Sequence, residues 1–553
     1  MLHAEGPLLT VDVGTQEVST ENIDEVLSSF IGGRGVATKL AHDRIPFDAD
    51  PFGPENRVYV SSGPLQYSQT SFTGRMNMTG LSPLTDGLLS TNAGGYVSRN
   101  FLGTGHPVLE LTGASDELVF LHVTEDGVEF EEVPELEEAT VPEVTEYANE
   151  HHDLEAEHLI SIGPAGENLV RFACPMTFNS RAFGRGGLGA VMGSKNVKAI
   201  SFQGDALPDG PIDEEVEREI HQRAATSDDN MKNQGTAGGT ELINDQFSLP
   251  TRYYSEMSFE AAADIGGDAV EAKKYKRGAC SVCAFGCKLP TKDEASGLVT
   301  EGPEFETIYS FGSSCGVGDI VDVMKSNELA DNHGMDTISC GLTIAAYLDS
   351  EDEFGNAELV HELVEKISYR EGVGDMLAEG VERIHEELGV ENWTVKGMEF
   401  AAHDGRVVNG QALSYAVANR GADHLYSALM GQEYSGQLDP EGLDGKAEPL
   451  VEEENESAFR DSGIICAFAS GHMEDEEIEA LFDEDLETLY EVGSRVVELE
   501  RHFNNQRGMD AADDTLPYAD MFEDLDGAIQ EYYALRGWNE DGTVPSDTVA
   551  SAD

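Results

Sequence analysis

Up to about residue 205 the apolar positions come in short runs. LLTVDV, NRVYVSSG, HPVLELTG, ELVFLHV and HLISIG alternate with Gly, Pro and Asn turns, which predicts strands. One helix is expected over about Asp24 to Ala41, and VKAISFQG closes this part. The polar stretch DALPDGPIDEE reads as a boundary. Beyond it the period lengthens: EEVEREIHQRAA, VDVMKSNELADNHG, AELVHELVEKISYR and VGDMLAEGVERIHEEL carry apolar residues at i, i+3, i+4 spacing. After about residue 400 comes a second Gly-rich, helical part containing the acidic MEDEEIEALFDEDLETLYEVGSRVVELERHFN. The polar, acidic last dozen residues are expected to be disordered. The pattern predicts an α+β chain. A β-rich N-terminal domain covers 1–207, a mainly helical domain 208–400, and a mainly helical C-terminal domain 401–553.

Length agrees, since 553 residues suit two to four domains. Charge changes the picture more. Lys and Arg number 34 against 106 Asp and Glu, a net charge of −72, yet 40% of the chain is apolar. An acidic surface around an ordinary core reads as adaptation to high salt, where a Debye length of ~3 Å at 1 M screens the self-repulsion. It argues against nucleic acid and against anionic membrane as partners. MLHAEGPLLTVDVG has neither a basic n-region nor an apolar h-region, and no run reaches the roughly 18 apolar residues of a membrane helix. A cytoplasmic, reducing location is expected, where clustered cysteines read as metal or redox sites.

Such a cluster is present. KRGACSVCAFGCKLP places Cys280, Cys283 and Cys287 in a C-x2-C-x3-C run, and DSGIICAF offers Cys466 as a distant fourth. Iron–sulfur clusters use closely spaced cysteines plus a remote one. Structural zinc is the alternative, although no second C-x2–4-C knuckle follows. Cys174, Cys315 and Cys340 stand alone and read as small buried residues.

RAFGRGGLGAVMG is the second motif. Gly184, Gly186 and Gly189 satisfy G-x-G-x-x-G, but CPMTFNSRAF is a poor strand and Gly193 interrupts the helix that should follow. A Gly-rich loop with Arg181 and Arg185 can still cradle phosphate, as can TGRMNMTG with Arg75 and STNAGG with Asn92, Gly94 and Gly95. Plain tight turns are the bland reading. GPEFETIYSFG holds Glu304 and Glu306 among aromatic and Gly residues, and ANRGADHLYS holds Arg420, Asp423 and His424. Groups of these types move protons when buried, although a loop histidine is as readily structural. Finally, DNHGMD (Asp331 to Asp336) and DSGIIC (Asp461 to Cys466) echo each other, which suggests two similar ligand halves gripped between two domains.

Together these residues resemble the tungsten-dependent aldehyde:ferredoxin oxidoreductases, in an acidic, haloarchaeal form. GGRGVATKL, SFTGRMNMTGLSPLTDGLLSTNAGG, NSRAFGRGGLGAVMGSKNVKAI, the cysteine run, GPEFET, DNHGMDTIS, NRGADHL and DSGIIC follow in the family's order over nearly the whole chain. The resemblance implies a β-rich base under the cofactor and two helical domains enclosing it. It implies tungsten (or molybdenum, which uses the same pterin) on two pyranopterins, beside a [4Fe–4S] cluster held by Cys280, Cys283, Cys287 and Cys466. Asp331 and Asp461 would accept hydrogen bonds from the two pterins, with Asp336 in the first Asp motif. Backbone carbonyls of Asn92 and Ala182 would hold a Mg²⁺ between the pterin phosphates. Arg75 and Arg181 would lie beside the pterins, with the Gly184, Arg185 and Gly186 loop. Glu306 and His424 would be the acid/base groups. The implied reaction oxidises a small aldehyde to a carboxylic acid with oxygen from water and ferredoxin as electron acceptor.

Two departures stand out. HDGR, at His403 to Arg406, replaces an expected Asp-Pro-Arg, and Lys325 lies where some relatives carry a Glu-x-x-His iron site between subunits. A homodimer therefore remains open. Lys273, Lys274, Lys276, Arg277 and Lys288 crowd the cysteines and are read either as compensation for cluster charge or as a docking patch for an acidic ferredoxin. The rival readings are an iron–sulfur electron-transfer subunit without its own catalytic metal, a member specialised for a sugar phosphate or another aldehyde/acid pair, and a nicotinamide dehydrogenase.

Overall fold

The computed structural model describes residues 1–206 and 212–551, so the boundary expected at 207/208 lies outside the described residues. The N-terminal part holds two six-stranded sheets. The first contains β1 (Leu8–Asp12), β2 (Glu17–Glu21), β3 (Val58–Ser61), β4 (Arg75–Leu81), β5 (Leu88–Gly94) and β6 (Val108–Thr112), in the order β2-β1-β6-β3-β4-β5. The second contains β7 (Val119–Thr124), β8 (Gly127–Glu132), β9 (Leu159–Ser161), β10 (Met176–Thr177), β11 (Arg181–Ala182) and β12 (Val197–Gln203), in the order β11-β10-β9-β12-β7-β8.

The sheets share one apolar layer. Val58, Val60, Met76, Met78 and Leu109 of the first meet Leu121, Val123, Ile160 and Ile200 of the second. Fully burying side chains of this size is worth about 1.5–3 kcal/mol each. Strand alternation then fixes the opposite face of the first sheet. With Met76, Met78, Leu89 and Ala93 in the shared layer, Arg75, Asn77, Thr79, Ser90, Asn92 and Gly94 must point the other way. The register pairs Arg75 with Gly94 and Asn77 with Asn92. The segments expected to be phosphate loops, TGRMNMTG and STNAGG, are thus neighbouring antiparallel strands that present a polar ladder.

The rest of the chain is mainly helical, as the 3.6-residue period predicts. Glu214–Thr226, Ile320–His333, Ala357–Ser368 and Leu486–Gln506 form where amphipathic runs are read. Other segments break earlier than periodicity alone suggests. The helix expected from Asp24 to Ala41 is two, Asp24–Phe30 and Gly33–Arg44, with Ile31 at φ 70° between them. The break admits another backbone: a Cβ on Gly33 would lie 2.2 Å from the Asp461 carbonyl oxygen. VGDMLAEGVERIHEEL divides at Gly380, φ 82°, into Val373–Leu377 and Val381–Leu388. The tail expected to be disordered carries a helix at Ser546–Ser551, and Val544, 6% exposed, anchors it beside the Leu486–Gln506 helix by donating its N–H to Asn505 Oδ1. No helix among the described residues is long and apolar enough to cross a membrane.

Candidate active site

The cysteine run follows the Gly267–Lys273 helix as irregular chain and is pinned to the end of the β4–β5 hairpin. Ser281 N–H donates to Gly95 O at 2.8 Å, and Ala284 N–H to Ser71 Oγ at 3.1 Å. Cys466 joins from the C-terminal part, with its N–H on Phe72 O at 2.8 Å. Arg75 Nη1 lies 3.8 Å from Cys466 Sγ. A Cβ on Gly94 would stand 2.9 Å from Cys280 Sγ, so only glycine leaves that thiol its place. All four cysteines are half-buried and none is in a disulfide. Burial pushes the Cys283 thiol up, and pushes Cys287 up to about 12 against the opposing pull of Lys288. Thiols of this kind stay protonated until a metal displaces the proton. Arg75, Arg181 and Lys288 supply positive charge around them. This donor set fits an iron–sulfur cluster.

The two Asp motifs share one helix-ending geometry. Asp331 lies near the end of Ile320–His333, three residues before Gly334 at φ 73°, and Asp461 near the end of Ala447–Gly463, three residues before Ile464 at φ 59°. Met335 N–H returns to Ala330 O at 2.9 Å, and Ile465 N–H to Arg460 O at 2.7 Å, the same closing bond in both. Asp461 Oδ1 accepts from Asn92 Nδ2 at 2.6 Å, and Oδ2 lies 3.5 Å from Arg34 Nη1. Asp331 Oδ2 accepts from Asn327 Nδ2 at 2.7 Å. Burial raises Asp461 despite Arg34 and Arg75, and raises Asp331 well above the carboxylate range despite Arg181. Both are half-buried acceptors, and Arg75 Nε is a buried donor without a hydrogen-bond partner. A ligand rich in N–H groups and phosphate, such as a pyranopterin, fits these residues.

Around Arg181 the chain is a hairpin. β10 and β11 pair antiparallel, Thr177 with Arg181 and Met176 with Ala182, and β11 packs beside β5, which brings Ala182 and Asn92 into the same corner. No βαβ unit surrounds the G-x-G-x-x-G, which removes the basis of the nicotinamide reading. Gly186, φ 98°, turns the chain against Leu89, whereas a Cβ on Gly184 would meet no atom within 4 Å. Arg181 forms an ion pair with Glu301. Arg185 is held away from open space: it donates to Ala422 O at 2.8 Å and to Glu399 O, and its Nε is 3.6 Å from Asp336. Asp336 caps the Thr337–Glu351 helix, accepting from Ile338 N–H and Ser339 N–H at 3.1 and 3.2 Å. These two residues position the walls of the site.

Glu306 and His424 do meet. Glu306 sits in the short helix Phe305–Thr307, and His424 follows Asp423 in the NRGADHL turn. His424 Nε2 is 3.4 Å from Glu306 Oε1, and Glu306 Oε2 accepts from Ala402 N–H at 3.0 Å. Burial raises the Glu306 carboxyl, against the opposing pull of His424. Burial also raises Asp423, but Arg420 and His424 outweigh it and hold that carboxyl low. Asp423 Oδ1 accepts Leu425 and Tyr426 N–H, both at 2.8 Å, and so fixes the turn that aims His424. Glu306 Oε1 and His424 Nδ1 are buried without hydrogen-bond partners. A carboxyl lifted by burial beside an imidazole is placed to exchange a proton with it.

Sequence reasoning missed one member of this group. His403 Nε2 is 3.8 Å from Glu306 Oε1, and its Nδ1 is 3.2 Å from Tyr434 Oη. The signal was the HDGR departure, which gave no spatial information. Burial, with His424 adding to it, keeps His403 well below the imidazole range and therefore neutral. Glu304, by contrast, faces the cysteines: Lys288 at 2.6 Å pulls it down to about 2. The basic patch is mostly engaged. Lys273 pairs with Asp293 at 2.7 Å, and Lys274 donates to Lys232 O at 2.8 Å, which leaves Lys276 and Arg277 exposed beside Tyr275.

Known families and a solved structure match the chain along its length. Residues 8–204 match the family described as aldehyde ferredoxin oxidoreductase, N-terminal domain, and residues 212–552 match aldehyde ferredoxin oxidoreductase, domains 2 and 3. The tungsten-containing aldehyde ferredoxin oxidoreductase of Thermococcus kodakarensis is 34% identical, the alignment covering 98% of this chain and 97% of the relative. The protein of the same name from Pyrococcus furiosus is 32% identical at the same coverage. An aliphatic sulfonate oxidoreductase WOR-like subunit of P. furiosus is 28% identical over 98% of this chain and 96% of its own length. The BamBC active-site complex of benzoyl coenzyme A reductase superposes with a TM-score of 0.83 at 21% identity, covering 100% of this chain and 97% of that one, and shares the fold. This chain, matched by both parts of the family along nearly its full length, belongs to the aldehyde ferredoxin oxidoreductase family.

Proposed function

We propose that the chain oxidises a small aldehyde to its carboxylic acid, with water as the oxygen source and ferredoxin as the electron acceptor. The observation that carries this reading is the half-buried Glu306–His424 pair, 3.4 Å apart, with buried Oε1 and Nδ1 atoms that make no hydrogen bond. When bound, a tungsten–bis-pyranopterin centre supplies the two-electron oxidation, and a [4Fe–4S] cluster supplies single-electron transfer toward ferredoxin. Cys280, Cys283, Cys287 and Cys466 would hold the cluster. Asp331 and Asp461 would bind the two pterins, Arg75 and Arg181 would flank them, and the carbonyls of Asn92 and Ala182 would hold Mg²⁺.

The protein's own contribution is proton handling and exclusion of water. Aldehyde plus water gives acid, two protons and two electrons. Glu306 Oε1 takes the proton that the water loses as it adds to the carbonyl carbon, and His424 Nε2 receives it at 3.4 Å. Asp423 keeps that imidazole in place, and Phe305 and Tyr434, packed beside His403, line the same region. Anaerobic turnover of an aldehyde panel with ferredoxin or a viologen dye tests the reading. Aldehyde-dependent reduction that is lost in Glu306→Gln is expected. Turnover that proceeds unchanged in that variant would overturn the assignment of Glu306.

A further inference from the structure

We propose that His122, Glu131 and His152 form a zinc site on the outer face of the second sheet, separate from the cofactor residues. Register builds it. β12 and β7 run parallel with Ser201 opposite His122, and β7 and β8 run antiparallel with His122 opposite Glu129. Alternation puts Glu131, two residues past Glu129, on that same face. The Val141–His152 helix covers the face through Val144 and Ala148, which pack on Phe120, Val133 and Leu136, and its last residue delivers His152.

The three side chains converge on one point. His122 Nε2 and His152 Nε2 each lie 2.9 Å from the same oxygen, Glu131 Oε2. The two rings are 4.4 Å apart between centroids. All three ligand atoms fall within 4.8 Å of one another. Tetrahedral zinc, with bonds near 2.0–2.1 Å, holds its ligand atoms about 3.3 Å apart, a small adjustment from these positions. Two imidazoles and one carboxylate are a zinc donor set with the fourth position left for water. The side chains of Glu131 and His152 are 27% and 29% exposed, so that position reaches solvent.

The outer contacts match as well. Ser201 Oγ, 2.9 Å from His122 Nδ1, can accept its N–H and turn the Nε2 lone pair toward the metal. Tyr147 Oη donates to the other oxygen, Glu131 Oε1, at 2.8 Å. Partners of this type orient zinc ligands and raise affinity by 10–100-fold. Phe120, stacked on His122 at 4.3 Å, fixes the ring. The C-terminus of the Val141–His152 helix adds a negative dipole end beside the cation. Zinc here would tie the helix to β7 and β8.

The test uses the full-length protein, treated with chelator in high salt and titrated with zinc against a chromophoric competitor. Wild type is expected to bind about one more zinc per chain than His152→Gln or Glu131→Gln, with about two imidazole ligands in the zinc X-ray absorption spectrum. Zinc should raise the melting temperature of wild type and leave that of each variant where it stands without zinc. The Glu306, His403 and His424 group is unchanged in all three, so its uptake cancels in the difference. Equal uptake by all three proteins, or an additional zinc without imidazole ligation, would overturn the site.

Discussion

Asn92 of β5 donates a 2.6 Å hydrogen bond to Asp461 at the end of the Ala447–Gly463 helix, and this bond joins the N-terminal sheet to the C-terminal helices at the floor of the site. Asn77 holds Asn92 in turn, Nδ2 to Oδ1 at 3.1 Å. Asn92→Ala removes the donor and leaves the half-buried Asp461 carboxyl with one partner fewer, at a cost of about 1 kcal/mol. The expected outcome is a lower melting temperature together with a reduced tungsten content after gel filtration. Full tungsten retention would separate Asp461 from cofactor binding.

Glu306 titrates above its ordinary value of 4.5 because it is buried. The folded protein therefore holds a proton that the unfolded chain releases, and stability falls as pH rises from about 4.5 through the raised value. Glu306→Gln mimics the protonated form and keeps an acceptor for Ala402 N–H. It is expected to flatten that fall while costing 10²–10⁴ in turnover. Denaturant titrations at several pH values, paired with initial rates, check both parts.

His403 and His424 face the same carboxylate from different situations. His403 is neutral and engaged with Tyr434, so His403→Gln is expected to cost about tenfold in rate, the scale of one hydrogen bond, and to leave the shape of the pH–rate profile intact. His424→Gln removes the proton acceptor and should cost at least 10². Equal losses with equal profile changes would make His403 part of the proton path.

Arg34 is 1% exposed, donates to both oxygens of buried Glu500 at 2.8 Å and lies over the Tyr426 ring at 3.5 Å. Breaking such a pair strands a charge, so Glu500→Gln is expected to destabilise by about 3–5 kcal/mol. Chemical unfolding in high salt measures it. Because the pair is buried, the loss should change little between moderate and molar salt.

Much of this was legible before folding. Short apolar runs mark β1, β3, β6, β7, β9 and β12, since most of these strands are buried on both faces. β4 and β5 were hidden, because their polar face carries Arg75, Asn77, Thr79 and Asn92 and reads as loop. The echo of DNHGMD and DSGIIC is real structure: both are helix ends closed by a left-handed residue. Spacing could not show that Asp336 caps a helix, that Arg185 clamps two backbone carbonyls, or that Lys273, Lys274 and Lys288 are already engaged. Those facts depend on which elements pack together. The pairing of Glu306 with His403 joins segments about a hundred residues apart and carries no local signature.

On the proposed reading the cysteines and the paired Asp motifs hold two different cofactors. The most direct measurement is metal analysis of protein purified anaerobically in high salt from a source supplied with tungsten and molybdenum. About four iron and one tungsten per chain are expected, with iron lost in Cys466→Ala. Iron without tungsten or molybdenum, or iron unchanged in Cys466→Ala, would contradict that reading.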